Sequence, residues 1–232
     1  MNGGFGPYKV IELPGGIVIS QTVTVTWLIM LLLTVFAYFA SKKFNKVPDK
    51  FQNVVEILVE SIYGLTKQTM GEDKINFAPY MGTLLLFIGV ANVSGLFGLR
   101  PPTADVNTTL GLSIMTFFMV HYNSIKSNGI KNYMKGYLEP MPFLLPLNII
   151  GELANPISLA FRLFGNIVGG LIIMVLLYGA LGSISTSLGI GIPILQAGIP
   201  AVLHIYFDLF AGLLQSFIFT MLTMVFISMA MD

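Results

Sequence analysis

Long apolar runs separated by short polar segments dominate the chain and predict helices that cross a membrane. An α-helix needs about 20 apolar residues to cross the hydrocarbon core. Runs of that length lie at 21–40, 79–99 and 106–125. We expect one membrane-spanning helix from each run, and Pro101 and Pro102 enforce a turn between the second and the third.

Two later apolar segments are longer than an upright crossing requires. Residues 143–182 carry only Glu152 and Arg162 as charges, and residues 193–231 carry only Asp208. A continuous helix over 143–182 would be about 60 Å long, twice the thickness of the hydrocarbon core. Each segment therefore either folds back as a hairpin or lies steeply tilted.

Residues 49–70 show a different pattern, in which apolar positions recur at helical spacing among charged ones. The apolar positions are Val54, Val55, Leu58, Ile62 and Leu65, and the polar ones include Glu56, Glu60 and Lys67. Such a helix suits the interface between lipid and water. We expect an amphipathic helix that lies on the membrane surface.

Composition supports an all-α, polytopic membrane protein with a single domain over 1–232. The chain is 55% hydrophobic and 10% charged, as in membrane proteins. A net charge of +1 gives no indication of a nucleic-acid partner. Cysteine is absent, and His121 and His204 are the only histidines, so we expect neither thiol chemistry nor a resident metal.

The distribution of lysine and arginine predicts the orientation in the membrane. The loops after the first and third spans contain Lys42, Lys43, Lys46, Lys50, Lys67, Lys74, Lys126, Lys131 and Lys135. Lys9 and Arg100 fall on the other side. We therefore expect an outer N-terminal segment over 1–20, and five crossings that place Asp232 in the cytoplasm. The segment 1–20 lacks a signal-peptide pattern, so the first apolar run is expected to be retained as a span.

Arg162 is a permanent charge inside an apolar run, SLAFRLFGN, where charged residues are costly and functional by default. At helical spacing, a polar face with Arg162 at its centre is predicted for Asn148, Asn155, Ser158, Asn166 and Gly169. Gly165 and Gly169 would let another helix approach that face closely. A structural charge, paired with an acid or extended to the interface, is the alternative interpretation.

The last apolar segment carries a second polar row. His204 and Asp208 lie one helical turn apart, and Gln215 lies about two turns beyond Asp208. A carboxyl group at membrane depth suits the passage of protons. Alternatively, His204 is an interfacial residue, and Asp208 and Gln215 hydrogen-bond neighbouring helices together.

The turn PPTADVNTTL at 101–110 holds a third polar group, which includes Asp105, Asn107 and Thr108. Its predicted outer position makes it a candidate entrance for a cation, although an N-cap of the third span explains Asp105 equally well. No phosphate-binding loop, nucleophile with a base or catalytic pair of carboxylates is present in the sequence. We therefore expect no cofactor and no enzymatic activity from this chain by itself.

Three motifs resemble subunit a of the F-type ATP synthase membrane sector, from about residue 20 to the C-terminus. They are ELANPISLAFRLFGNIVGG at 152–170, LLQSFIFTMLTMVFISMA at 213–230 and PPTADVNTTLGL at 101–112. The resemblance implies a stator in the bacterial cell membrane, beside a rotating ring of c subunits that carry carboxyl groups. It also implies the b subunits of the peripheral stalk and the rest of the synthase as further partners.

The resemblance implies roles for individual residues. Two long tilted helices would wrap the ring, and Arg162 would separate an outer from a cytoplasmic half-channel for H⁺ or Na⁺. Asn166 and Gln215 match polar residues near that arginine. Asp208, Asp105 and Asn107 match the outer half-channel, whereas Leu171 stands where many relatives have an ionisable residue.

Two rival hypotheses remain at this point. One is a secondary transporter or channel with an anion site at Arg162. The other is a structural scaffold in which Arg162 pairs permanently with Asp208.

Overall fold

A computed structural model describes most of the chain, in the ranges 9–12, 18–42, 45, 47–138, 141–187 and 194–231. The predicted outer segment is therefore described only at 9–12 and 18–20. Residue 193, the predicted start of the last long helix, and Asp232 lie outside the described residues.

The described chain is helical, apart from the short antiparallel strands β1 (Lys9–Glu12) and β2 (Val18–Ser20). The α-helices are α1 (Gln21–Ser41), α2 (Lys50–Met70), α3 (Ala78–Val93), α4 (Val106–Leu138), α5 (Leu145–Ser187), α6 (Ile194–His204) and α7 (Gly212–Met231). A π-helical segment, Ile205–Ala211, joins α6 to α7. Short 3₁₀ turns lie at Ile75–Phe77, Ser94–Phe97, Pro102–Ala104 and Pro142–Leu144.

Four helices within the described ranges are long and apolar enough to cross a membrane. They are Gln21–Ser41, Ile75–Phe97, Pro142–Ser187 and Gly198–Met231. This confirms the predicted all-α, polytopic membrane fold. The predicted span 106–125 forms the first part of α4, which does not reach the same apolarity, and a fifth crossing there stays a prediction.

Helix α5 distinguishes between the two arrangements considered for residues 143–182. Its 43 residues form one continuous α-helix, about 65 Å long at 1.5 Å per residue. Pro156 lies inside this helix without ending it. The segment is therefore a single long helix and not a hairpin. A helix of this length must tilt to stay within a bilayer.

Helix α2 turns one side towards the protein and leaves a second apolar side open. Val55, Thr66 and Met70 are buried, against α3 and α7. Val54, which we expected on the same face as Val55, is exposed. The helix is thus amphipathic with a wider apolar surface than the spacing predicts, and its place at the membrane interface stays a prediction.

Buried leucine, isoleucine and phenylalanine side chains join α5 to α3 and α7. The cluster consists of Leu84, Ile88, Leu159, Leu163 and Phe219. Leu159 and Leu163 lie on either side of Arg162 in the chain, so the buried face of α5 is fixed close to the arginine. At membrane depth this packing stabilises the fold through van der Waals contact, since lipid tails are as apolar as these side chains. The core therefore determines which face of α5 remains open.

Candidate functional site

Arg162 lies on the open face of α5. Its side chain is exposed, and it makes no hydrogen bond or ion pair with any residue in the described part of the chain. Leu159 and Leu163 are buried on the adjoining side of the helix, about 60–100° around its axis from Arg162. A permanent charge at membrane depth that lacks a partner within its own chain requires one outside it, or water.

The surface around Arg162 is polar and unobstructed. Asn155 and Ser158 are exposed, and Asn166 is half-buried. A β-carbon added at Gly165 or Gly169 would meet nothing within 4 Å. No helix of the described chain therefore approaches these two glycines, and close approach by another protein stays a prediction.

Close helix packing within the chain occurs one residue further along, at Gly170. A β-carbon at this position would lie 3.3 Å from the Phe207 ring. Gly170 therefore lets the π-helical segment pack against α5 on the side away from the exposed face. The sequence spacing of Gly165 and Gly169 gives no indication of this contact.

Asp208 and His204 form a hydrogen-bonded pair on the second long helix. His204 Nδ1 lies 2.6 Å from Asp208 Oδ2, and the two side chains are 33% and 16% exposed. A β-carbon at Gly95 would lie 3.2 Å from the Asp208 carboxyl carbon, so glycine there makes room for the carboxylate. Asp208 thus pairs with His204 and not with Arg162, which contradicts the scaffold hypothesis.

Asp208 lies within the π-helical segment Ile205–Ala211, which the apolar pattern does not predict. Single π turns within α-helices often mark functional sites. A π turn holds more residues than an α turn, so the α-helical spacing that placed Gln215 on the face of Asp208 does not hold across it. Spacing alone therefore does not establish a shared face for Asp208 and Gln215, and their common role stays a prediction.

Gln215 is buried, with 6% of its surface exposed. Its Nε2 has no hydrogen-bond partner among the described residues, and no hydrogen bond links Gln215 to Arg162. A buried amide without a partner costs about 1–3 kcal/mol. Such a cost is typical of functional sites, and the predicted position of Gln215 opposite Arg162 stays a prediction.

Asn92 is a buried polar residue that sequence reasoning missed. Its Nδ2 donates to the Gly212 carbonyl over 2.8 Å, and its Oδ1 accepts from Thr103 Oγ1 over 2.6 Å. Gly212 is the first residue after the π-helical segment, and a β-carbon there would lie 3.0 Å from Asn92 Cβ. Asn92 therefore ties the predicted outer turn to the end of that segment. An asparagine inside an apolar span is the signal that identifies it.

Replacing Asn92 by alanine should destabilise the protein. The change leaves the Gly212 carbonyl and the Thr103 hydroxyl without their partner, at a cost of about 1–3 kcal/mol. Thermal unfolding in detergent would show the loss as a lower Tm. Asn53→Ala, at an exposed position on α2, is the matched control and should leave Tm unchanged. An unchanged Tm for Asn92→Ala would contradict this account.

Asp105 adopts the N-cap geometry that we considered as an alternative. Its Oδ1 accepts from the Asn107 backbone N–H over 3.0 Å, at the start of α4, and its Oδ2 accepts from Thr22 Oγ1 over 3.2 Å. Asn107 is exposed. Asp105 therefore positions the turn at 101–110 against α1, and the role of both residues in an ion pathway stays a prediction. Within the described ranges, no three histidine or acidic side chains are grouped to hold a metal ion.

Comparisons with known proteins agree on one family. Residues 23–228 match the family model described as ATP synthase A chain. The chain is 38% identical over 228 residues to the sodium ion specific ATP synthase subunit a of Propionigenium modestum, covering 91% of this chain and 74% of that protein. It is 36% identical to ATP synthase subunit a of Bacillus subtilis, covering 98% and 97%, and 33% identical to that of Moorella thermoacetica, covering 96% and 95%.

These matches cover nearly the whole chain, including all three motifs that carry the resemblance. They agree with the four apolar helices long enough to cross a membrane. The chain is a multi-pass membrane protein that belongs to the subunit a family of the F-type ATP synthase.

Proposed function

We propose that this chain is the stator subunit that couples cation flow to rotation in an F-type ATP synthase. It provides two offset half-channels for H⁺ or Na⁺, and Arg162 faces the carboxylates of a rotating c ring. The chain is not catalytic by itself. It assembles with the c ring, the b subunits and the rest of the synthase in the bacterial cell membrane. Its N-terminus lies outside and its C-terminus lies in the cytoplasm.

The observation that carries this proposal is the exposed, unpaired guanidinium of Arg162 on a polar helix face. At about 4 Å, it would attract a carboxylate by about 4 kcal/mol at an effective dielectric constant of 20. That attraction favours release of the cation bound to the carboxylate. Because arginine keeps its proton in proteins, Arg162 cannot pass a proton between the half-channels.

The outer half-channel is proposed to use the Asp208–His204 pair. The π-helical segment that holds Asp208 packs against the Ser94–Phe97 turn, on the predicted outer side. Leu171, at the position where relatives often have an ionisable side chain, is half-buried and cannot bind a cation. His204, bonded to Asp208, supplies a second titratable group close to the first. The Asp208–His204 pair thus supplies the two ionisable side chains of the outer half-channel without one at position 171.

The anion-transporter alternative has less support. Anion sites in transporters lie between helices, where half-helix ends and cavities surround the substrate. Arg162 instead lies on the exposed face of one continuous helix. Family membership also favours the stator.

A cysteine cross-link tests whether the Arg162 face meets the ring. The chain has no cysteine, so a single introduced thiol is unique within it. Ser158→Cys, exposed one turn before Arg162, should form a disulfide with a cysteine placed beside the ring carboxyl group of the c subunit. Thr34→Cys, exposed on α1, is the control and should not. Absence of the Ser158 cross-link in an assembled complex would contradict the proposed orientation.

A further inference from the structure

Four polar side chains form a hydrogen-bonded cluster where α4 and α5 meet. Tyr137 donates to Glu152 Oε2, and the hydroxyl groups of Tyr137 and Tyr133 lie 2.7 Å apart. Tyr133 Oη lies 3.0 Å from His121 Nδ1, and His121 Nε2 lies 3.6 Å from Glu152 Oε2. We call His121, Tyr133, Tyr137 and Glu152 the inner cluster.

A break in α4 brings the inner cluster together. Gly129 has φ 76° and ψ 152°, outside the helical region and unfavourable for other residues. The chain therefore changes direction between His121 and Tyr133, which places both tyrosines beside α5. Asn148 Nδ2 donates to the Tyr137 carbonyl over 2.9 Å and fixes this arrangement.

The donors of the inner cluster all point towards Glu152. Each tyrosine hydroxyl has one hydrogen to donate. Tyr137 uses its hydrogen in the bond to Glu152, so Tyr133 must be the donor in the bond between the two tyrosines. The hydrogen of Tyr133 is then also used, so its oxygen accepts from His121 Nδ1–H. Burial, together with the hydrogen bond to Glu152, raises the pKa of Tyr137 above its ordinary value, so its hydroxyl stays a donor.

Glu152 keeps one carboxylate oxygen available. The contacts to Tyr137 and His121 both use Oε2, and Oε1 has no hydrogen-bond partner among the described residues. The Glu152 side chain is 40% exposed and lines two adjoining cavities of about 310 and 620 Å³. A cation or water in either cavity can therefore reach Oε1.

The two cavities extend from the inner cluster towards Arg162. Both are lined by Asn155, and the smaller one reaches Leu159, one turn before Arg162. The larger one is lined by Asn128 and Asn132, in the part of α4 that carries Lys126, Lys131 and Lys135. By the distribution of positive charge, that end faces the cytoplasm.

We propose that Glu152 binds the monovalent cation in the cytoplasm-facing half-channel, and that Tyr137, Tyr133 and His121 are its positioning residues. This proposal rests on the proposed stator function. During synthesis, a cation released opposite Arg162 travels about 15 Å along α5 to Glu152, at 1.5 Å per residue. A proton would bond to Oε1 and then pass to a water molecule in the larger cavity. Na⁺ would instead bind to the carboxylate without covalent change. In both cases Glu152 returns to a free carboxylate.

The half-saturating cation concentration on each side of the membrane tests this proposal. The assembled synthase is placed in vesicles, with NaCl varied at fixed pH, and pH varied at fixed NaCl. ATP-driven pumping takes cations from the cytoplasmic face, and ATP synthesis takes them from the outer face. Glu152→Gln should raise the half-saturating concentration on the cytoplasmic face about tenfold. The value for the outer face should not change.

Companion variants separate cation binding from simple packing. Glu152→Asp keeps the charge and should restore most of the cytoplasmic affinity. Tyr137→Phe keeps the ring but removes the donor, and should shift the cytoplasmic value in the same direction as Glu152→Gln. Glu60→Gln on α2 and Tyr122→Phe on α4, both exposed, are the matched controls and should leave both values unchanged.

An unchanged cytoplasmic value for Glu152→Gln, or a shift on the outer face alone, would overturn the proposal. If Glu152→Gln does not assemble, an unchanged cytoplasmic value for Tyr137→Phe would overturn it too. These failures differ from failure of the stator function. If Arg162→Ala is uncoupled and Glu152→Gln is unaffected, only the role of Glu152 in the pathway is refuted. If coupling survives in Arg162→Ala, the stator function itself is refuted.

Discussion

Arg162→Ala should abolish ATP synthesis and ATP-driven cation pumping while the synthase still assembles. Arg162 makes no hydrogen bond or ion pair within the described part of the chain, so its removal leaves no buried partner unpaired. The attraction for a ring carboxylate, about 4 kcal/mol, would be lost. A loss of that size corresponds to a rate decrease of about 1000-fold. Pumping by purified complexes in vesicles, alongside subunit composition on a native gel, measures both quantities.

Phe161→Ala is the matched control for Arg162→Ala. Phe161 is the preceding residue, exposed on the same helix and uncharged. We expect this variant to retain coupled synthesis, since it alters the surface without altering the charge. Coupled synthesis in Arg162→Ala itself would refute the central role given to the arginine. Loss of assembly in that variant would indicate a structural role, which the exposed position does not predict.

Asp208→Asn should slow cation translocation about 100-fold, with smaller effects on assembly. The amide fills the same space beside Gly95 and can still hydrogen-bond His204, so local packing is retained. It cannot hold a proton as a carboxyl group does, nor can it neutralise a cation. Initial rates of ATP-driven pumping, and of synthesis driven by an imposed gradient, should both decrease.

Asp49→Asn is a suitable control, since Asp49 is exposed before α2 and its side chain makes no capping hydrogen bond. It should pump at the rate of the unchanged protein. Normal translocation in Asp208→Asn would remove Asp208 from the pathway. Severe destabilisation would instead show that the Asp208–His204 pair serves mainly to hold the fold together.

Sequence patterns predicted the long helices well because hydropathy is a local property. Whether 21–40 or 143–182 enters the membrane depends mainly on the transfer free energies of its own side chains. The exposed position of Arg162 also agrees with local spacing, since Arg162 shares one face of an uninterrupted α-helix with Asn155 and Ser158, which are both exposed. Predictions from α-helical spacing therefore agree with the structure where the helix is regular.

Sequence spacing did not predict the structure where a helix is irregular or where segments distant in sequence meet. No pattern of apolar residues records a change from α- to π-helical hydrogen bonding at 205–211. The inner cluster depends on Gly129, and the sequence Ser127-Asn128-Gly129 is a turn signal that marks this break. Even so, the pairing of Tyr137 with Glu152 requires the tertiary arrangement of α4 and α5. The same holds for Asn92, whose partners are remote in sequence.

The π-helical segment sets how His204 is turned relative to α7. A π turn arises when one residue is inserted into an α-helix, so deletion of one residue within 205–211 would convert it to an ordinary helix. Such a deletion would rotate His204 by about 100° relative to α7, because each α-helical residue turns by that angle. In a relative that lacks this one residue, an ionisable group that serves the same purpose as His204 would therefore be expected one position away in the sequence, counted from α7.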